Sequence, residues 1–176
     1  MCIKKESIII VGPSGVGKDY LLRGLVKMGL RYSPKITTRP QRKLERHGVD
    51  YDFVDNTKFQ NLLESNQIKT YQHFLINGCG WFYAISCENF KNNNIFIMTP
   101  HEISTLSKED RSNCFVVYLD IDESIRRERI TRRDDNNDSV ERRIQSDRED
   151  FKMFNDYDLK ITDPEFNCSD VYSLMM

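Results

Sequence analysis

No stretch of this 176-residue chain approaches the roughly 18–20 consecutive apolar residues that a bilayer-spanning helix needs. The start, Met1-Cys2-Ile3-Lys4-Lys5-Glu6, runs directly into an apolar segment and leaves no room for a signal peptide, so a cytoplasmic location without a membrane partner is expected. An excess of one charge is missing as well. Lys and Arg number 26 against 27 Asp and Glu, a net charge of −1, so no global field draws the chain to nucleic acid. Cysteine is sparse and odd in number: the five (Cys2, Cys79, Cys87, Cys114, Cys168) share no C-x-x-C spacing, which argues against a zinc knuckle or a disulfide framework. Reduced thiols are expected. The three histidines, His47, His73 and His101, form no H-x-x-x-H pair and read as loop or surface residues rather than ligands. There is no internal repeat and no low-complexity linker. The length fits one domain, or one domain with an inserted lobe, and 39% hydrophobic residues suffice for a single core.

Against these absences stands Gly12-Pro13-Ser14-Gly15-Val16-Gly17-Lys18-Asp19, directly after the apolar run Ile8-Ile9-Ile10-Val11. It fits G-x-x-x-x-G-K, a phosphate-binding loop, with aspartate where serine or threonine is usual. Glycines are needed because the backbone must curl around phosphate oxygens with its N–H groups inward. Lys18 adds positive charge where the β- and γ-phosphates carry negative charge. Tyr20-Leu21-Leu22-Arg23-Gly24-Leu25-Val26 follows in helical spacing, and such a helix aims its positive end at the ligand. The bland alternative is a glycine-rich strand-to-helix turn. Strand, loop, lysine and helix in order favour nucleotide binding, with Gly12, Ser14, Gly15, Val16, Gly17, Lys18, Asp19 and Tyr20 as the candidate ATP contacts.

The rest of the chain alternates between strand and helix signals. Gly29 suits a helix C-terminal cap, residues 30–36 a short strand, and the polar stretch 37–48 a loop. Tyr51–Val54 reads as a strand. Residues 57–65 read as a helix capped by Asp55 or Asn56. From Ile68 to Ser86 β-branched and aromatic residues flank Asn77-Gly78, a strong hairpin signal. Residues 36–90 therefore predict a small β-rich lobe inserted into the main sheet. Ile95–Met98 and Phe115–Leu119 suit buried parallel strands, with helices around 101–107 and 122–133. Asp134-Asp135-Asn136-Asn137-Asp138 reads as a solvated hinge rather than a metal site. Ser139 should cap a helix running to about Phe154, Asp158–Ile161 a last strand, and Ser169 onward a short helix or frayed tail. Such alternation predicts an α/β fold with a right-handed parallel sheet, its core formed by residues 1–35 and 91–176 of one domain.

Four further features occur in order: Thr37-Thr38-Arg39-x-x-Arg42, Gly48-Val49-Asp50-Tyr51-x-Phe53-Val54, Trp81-Phe82-Tyr83, and an arginine-dense helix–break–helix from Arg126 to Arg148. With the phosphate loop, they make nearly the whole chain resemble the guanylate kinase family of nucleoside monophosphate kinases. The resemblance implies a P-loop NTPase core sheet flanked by helices, a β-rich nucleotide-monophosphate lobe, and a helical lid at about 126–148. It implies ATP and Mg²⁺ as cofactors and transfer of a phosphoryl group to a small-molecule nucleotide. By resemblance, Arg39, Arg42, Tyr51 and Tyr83 hold the acceptor's phosphate. Arginine can bind a phosphate through two parallel N–H bonds, and tyrosine hydroxyls add neutral donors. Read without the motif, Arg39 and Arg42 would be a solvated basic loop and the tyrosines strand aromatics. The resemblance also assigns Arg129, Arg133 and Arg143 to the transferring phosphate. Arg126, Arg127, Arg132, Arg142 and Arg148 are then expected to be solvated helix charges paired with Glu128, Glu141 and Asp147.

The chain departs from that family's pattern in two places. The loop ends Lys18-Asp19, and the strand end reads Met98-Thr99-Pro100 where the family carries D-x-D. One carboxylate is lost on one side of the metal and another is gained on the other, so Asp19 is expected to serve Mg²⁺. The same G-K-D ending occurs in ribose 1,5-bisphosphate phosphokinases and some phage deoxynucleotide kinases. The positions that read guanine in the family are Lys35, Thr70 and Ile85 here, with Ala84 for a glycine, and neither Glu64 nor Glu88 lies in register to replace the lost glutamate. Thr70 and Gln72 suit a pyrimidine or modified base better than the two adjacent N–H groups of guanine. The reading is an ATP-dependent kinase of ribo- or deoxynucleoside monophosphates with non-guanine base choice. A ribose 1,5-bisphosphate phosphokinase and a non-catalytic guanylate-kinase-like binding module are the alternatives. No protein partner is evident, and a monomer or homodimer is expected.

Overall fold

The structure, a computed structural model, describes residues 5–76, 78–132 and 139–175. In chain order the elements are β1 (Ser7–Val11), α1 (Lys18–Lys27), β2 (Ile36–Thr37), β3 (Asp52–Phe53), α2 (Asn56–Glu64), β4 (Ile68–Ile76), β5 (Cys79–Ser86), α3 (Cys87–Asn92), β6 (Ile95–Ile97), α4 (Pro100–Ser104), α5 (Lys108–Ser112), β7 (Cys114–Leu119), α6 (Glu123–Arg132), α7 (Val140–Phe151), β8 (Leu159–Ile161) and α8 (Cys168–Met175). They divide into two compact units, Met1–Leu30 with Ile95–Met176, and Arg31–Asn94. Among the described residues no helix is long and apolar enough to cross a membrane.

The first unit is built on a parallel sheet in the order β6-β1-β7-β8. Its central strands are near-continuous apolar runs because both faces are covered: Ile9, Ile10, Val11, Val116, Val117 and Leu119 are fully buried. Helix α1 buries Leu21, Leu22 and Leu25 on one stripe. Gly29 follows its C-terminus with φ 101°, the left-handed turn that glycine makes without strain. The α/β expectation holds, with differences at element ends. The helix expected over 101–107 is the shorter α4, opened by a Thr99–Glu102 capping box, and it is followed by a separate α5. Lys108-Glu109-Asp110-Arg111-Ser112 carries no apolar periodicity to announce it. Ser139 caps α7, accepting the Arg142 N–H, but the helix stops at Phe151. Phe151 and Phe154 share helical spacing because both pack on Tyr118, with ring centroids 5.5 and 5.3 Å away, although Phe154 sits in the following turn. The hinge expected at 134–138 lies outside the described residues.

The second unit is a sheet in the order β3-β2-β5-β4, with β2 and β3 parallel and the other pairs antiparallel. The strand expected over 30–36 shrinks to Ile36–Thr37, since Pro34 has no N–H for a ladder. Asp55 caps α2, taking the Lys58 N–H at 2.7 Å. Gly78 has φ 79°, as a hairpin turn requires, while Asn77 of the expected turn lies outside the described residues. One face of the sheet packs Ile36, Phe59, Phe82 and Ala84 into a core, with Phe59 stacked on Phe82 at 4.5 Å. The two-residue period of the strands puts Thr37, Thr70, Gln72, Phe74, Trp81, Tyr83 and Ile85 on the opposite face. Ser86 caps α3, a helix that the strand-like sequence before it did not announce.

Candidate active site

Local backbone geometry shapes the phosphate loop. A Cβ on Gly12 would lie 2.5 Å from the Leu119 carbonyl oxygen, and Gly15 combines φ 79° with a virtual Cβ 2.8 Å from the Arg126 oxygen. Gly17, φ 102°, stands at the N-cap of α1 and brings no side chain to cap the helix, so an anion is the natural partner of the first-turn N–H groups. Lys18 Nζ reaches back across its own loop, donating to the carbonyls of Gly12 (2.6 Å) and Pro13 (2.8 Å). Val16 is fully buried and Ser14 half-buried. Tyr20 is exposed, its ring set edge-on to Phe166 at 5.6 Å.

Asp19 is exposed on the first turn of α1. Among the described residues no group of three or more His, Cys, Asp or Glu side chains could hold a metal alone. Mg²⁺ bound to a polyphosphate needs only one or two carboxylates and keeps several waters, so a single exposed carboxylate beside Lys18 fits it. The strand end offers no second one. Met98 is buried, Pro100 opens α4, and the fully buried Glu102 turns its carboxylate back on the Thr99 N–H at 2.8 Å.

The structure sorts the arginines that sequence spacing left together. Arg129 Nη1 makes long contacts with the carbonyls of Gly15 (3.4 Å) and Val16 (3.5 Å), and Nη2 reaches Pro164 O at 3.3 Å. Arg126 is a correction. Expected to be solvated, it is 6% exposed and bonds Ile121 O through Nε at 3.0 Å. Its Nη1 lies 3.3 Å from Asp147 Oδ2, whose carboxylate also accepts the Ser14 N–H at 2.9 Å. Burial pushes the Asp147 carboxyl up, while the Ser14 bonds and the charges of Lys18 and Arg126 pull the other way. Arg127, Arg132 and Arg148 form partly exposed pairs with Glu141, Glu128 and Glu123 at 2.7, 2.5 and 2.8 Å. Arg143 is half-buried on α7, and its backbone N–H bonds Ser139 O at 3.2 Å. Arg133 lies outside the described residues.

In the second unit, Arg39 is only 4% exposed. Its guanidinium donates to Glu45 Oε1 at 2.6 Å and Pro40 O at 2.8 Å, and stands 5.3 Å from the Tyr51 ring centre and 5.6 Å from that of Phe53. Tyr51 meets Tyr83 edge-on at 5.8 Å. Burial pushes the Tyr83 phenol up, opposed by the charge of Arg39 and a hydrogen bond with it. Arg39, Tyr51 and Tyr83 thus lie together. Arg42 joins through Glu45, whose Oε2 accepts the Arg42 N–H at 2.8 Å. Burial alone would raise the Glu45 carboxyl, but the bonds from Arg39 and the Arg42 N–H, with both guanidinium charges, hold it below its ordinary range.

Gln72 faces Tyr83 across the ladder and Thr70 faces Ile85, with Thr70 and Ile85 both buried. Lys35 is half-buried and its carbonyl takes the Asp52 N–H at 2.9 Å. Sequence reasoning missed Glu45 and the loop contacts of Asp147 and Arg126. Glu45 had a signal, an acid three residues after Arg42 in a turn-forming stretch. For Asp147 there was none beyond its place on an arginine-rich helix.

The family model for guanylate kinase matches residues 4–175. A guanylate kinase from Malacoplasma penetrans is 31% identical over 170 residues, covering 90% of this chain and 85% of that protein. One from Nostoc sp. is 28% identical over 169 residues, covering 92% and 84%. The crystal structure of guanylate kinase from Anaplasma phagocytophilum shares the fold with a TM-score of 0.69 at 19% identity, over 98% of this chain and 86% of that one. With a phosphate loop of the right geometry, a parallel core sheet, a second small sheet and a family match over nearly its full length, the chain belongs to the guanylate kinase family of P-loop nucleoside monophosphate kinases.

Proposed function

We propose that this chain transfers the γ-phosphoryl group of ATP to a nucleoside monophosphate and that guanine is not its strongly preferred base. The observation that carries the reading is the guanidinium of Arg39 buried against Tyr51 and Tyr83, in a chain that also keeps Lys18 and every loop glycine. A phosphate oxygen of the acceptor attacks the γ-phosphorus, the bond to the bridging oxygen breaks, and ADP leaves with the electron pair. Arg39 and Arg42 hold the monoester, with the Tyr51 and Tyr83 hydroxyls as neutral donors that fix its orientation. Lys18 follows charge onto the transferring group, a stabilisation made mainly in the transition state. Arg129, Arg143 and Arg133 add positive charge and help exclude water. Asp19 would hold Mg²⁺ in part, and the ion would neutralise charge on the triphosphate.

Base choice rests on the face of the small sheet opposite its Phe59–Phe82 core. Its strand positions Thr37, Thr70, Gln72, Tyr83 and Ile85 include no carboxylate, so the paired N–H groups of guanine lack a two-oxygen acceptor there. A screen with γ-labelled ATP over GMP, dGMP, dTMP, dUMP, dCMP and dAMP tests the proposal. Comparable efficiency on a non-guanine acceptor is expected. A preference for GMP or dGMP above about a hundredfold would mean that other residues read guanine. A second reading, phosphorylation of ribose 1,5-bisphosphate, draws on the Lys18-Asp19 loop ending and the apolar strand end at Met98. Product from that acceptor alone would replace the nucleotide reading, and no product from any acceptor would leave a binding module.

A further inference from the structure

Ser14 is the third residue of the phosphate loop, and its N–H points at a carboxylate of the protein itself. It donates to Asp147 Oδ2 at 2.9 Å, and Ser14 Oγ meets Oδ1 at 3.3 Å. Arg126 Nη1 stands 3.3 Å from the same Oδ2, with side-chain exposures of 8% for Arg126 and 13% for Asp147, so salt screens the pair little. The Arg126 guanidinium is anchored through Nε on Ile121 O at 3.0 Å, and its backbone oxygen is the atom that a Cβ on Gly15 would strike. Arg126 belongs to α6 and Asp147 to α7, so both helices flanking residues 133–138 are fastened to one loop residue.

A carboxylate in that place does two opposing things. It satisfies a loop N–H and pins a buried guanidinium, which holds the loop in one shape. It also puts a negative charge within electrostatic reach of Lys18, beside the part of the chain that must attract a polyanion. The Arg126 charge balances it, so the pair leaves the mouth of the loop less positive than its arginines suggest.

We propose that Asp147 is a positioning residue for phosphoryl transfer: it fastens the Ser14 N–H and Arg126 so that the loop is shaped before nucleotide binds, and its charge weakens triphosphate binding. The proposal rests on the kinase reading above. Preorganisation of this kind raises turnover, because a misplaced phosphate costs rate even when it binds well. Removing the charge while keeping the side chain's size weakens that fastening and leaves Arg126 unbalanced, and so separates affinity from rate in opposite directions.

Asp147→Asn makes that change. Three readouts are compared with the wild-type protein: hydrogen exchange at the Ser14 amide without nucleotide, the dissociation constant for MgATP without acceptor, and kcat. Exchange at Ser14 should speed up, MgATP should bind about fivefold tighter because Arg126 is left unbalanced, and kcat should fall about tenfold. Adding Arg126→Met to Asp147→Asn should return MgATP affinity towards wild type without restoring kcat. Unchanged or weaker MgATP binding in Asp147→Asn would overturn the proposal, as would an unchanged kcat. A wild-type protein that neither binds MgATP nor transfers phosphate would instead remove the kinase reading, and Ser14 exchange would still test the Asp147 contact.

Discussion

Removing the carboxylate of Glu45 tests how the small unit holds the buried guanidinium of Arg39. Glu45 Oε1 takes a charge-assisted bond from Arg39 at 2.6 Å and Oε2 the Arg42 N–H at 2.8 Å, with side-chain exposures of 4% for Arg39 and 16% for Glu45. Glu45→Ala leaves a guanidinium out of water with Pro40 O, the Tyr83 hydroxyl and aromatic rings for company, none of them charged. Breaking a buried pair from one side costs about 3–5 kcal/mol, and the partial exposure of Glu45 argues for the lower figure, about 3 kcal/mol. At a urea m-value of about 2 kcal/mol/M this lowers the unfolding midpoint by about 1.5 M. Trp81, the only tryptophan, lies on β5 of the same unit, so its fluorescence follows the unit that should weaken. The pH dependence has a definite sign. Glu45 is held below its ordinary range, so its contribution is fully present above the unfolded value of about 4.3 and is lost as pH falls through the lower folded value. The gap between wild type and Glu45→Ala should thus be constant near neutrality and close in acid. A midpoint shift under about 0.3 M at pH 7 would mean that desolvation of the pair cancels its attraction, and would refute the reasoning.

Lys18→Ala should lower turnover by at least about a hundredfold, the scale of losing one strong electrostatic stabiliser, and near-normal turnover would remove the kinase assignment. Asp19→Asn should raise the Mg²⁺ concentration for half-maximal activity, and Asp19→Ser should not restore it, because Met98 and Pro100 supply no balancing carboxylate. Wild-type behaviour of Asp19→Ser would sink that compensation. Gly12→Ala places a Cβ 2.5 Å from the Leu119 backbone oxygen, so thermal unfolding should show a loss of about 1–3 kcal/mol; an unchanged melting temperature would mean that β1 and β7 separate more easily than their packing suggests.

Features governed by short stretches of chain were legible in advance. The phosphate loop follows from glycine spacing after an apolar run, and the cap at Ser139, with the choice of Asp55 or Asn56 that the structure narrows to Asp55, from side chains that satisfy nearby N–H groups. The parallel core follows from strands apolar on both faces. Each depends on local backbone preference or on a period, and both are written in neighbouring residues. Helix α5 escaped because a short capped helix needs no apolar stripe.

What only the tertiary structure decided is which charges face one another. From Arg126 to Arg148 the sequence is a dense field of arginines and acids at helical spacing, and nearly every pairing is compatible with it. Packing alone buries Arg126, lays Arg129 against the loop carbonyls and sends Asp147 to the Ser14 N–H. Likewise, Arg39 could be read as a solvated loop charge until Glu45, Tyr51 and Tyr83 are seen to enclose it. An ion pair costs desolvation and returns attraction only where distant segments meet. Its identity is therefore a property of the fold, which no spacing along the chain encodes.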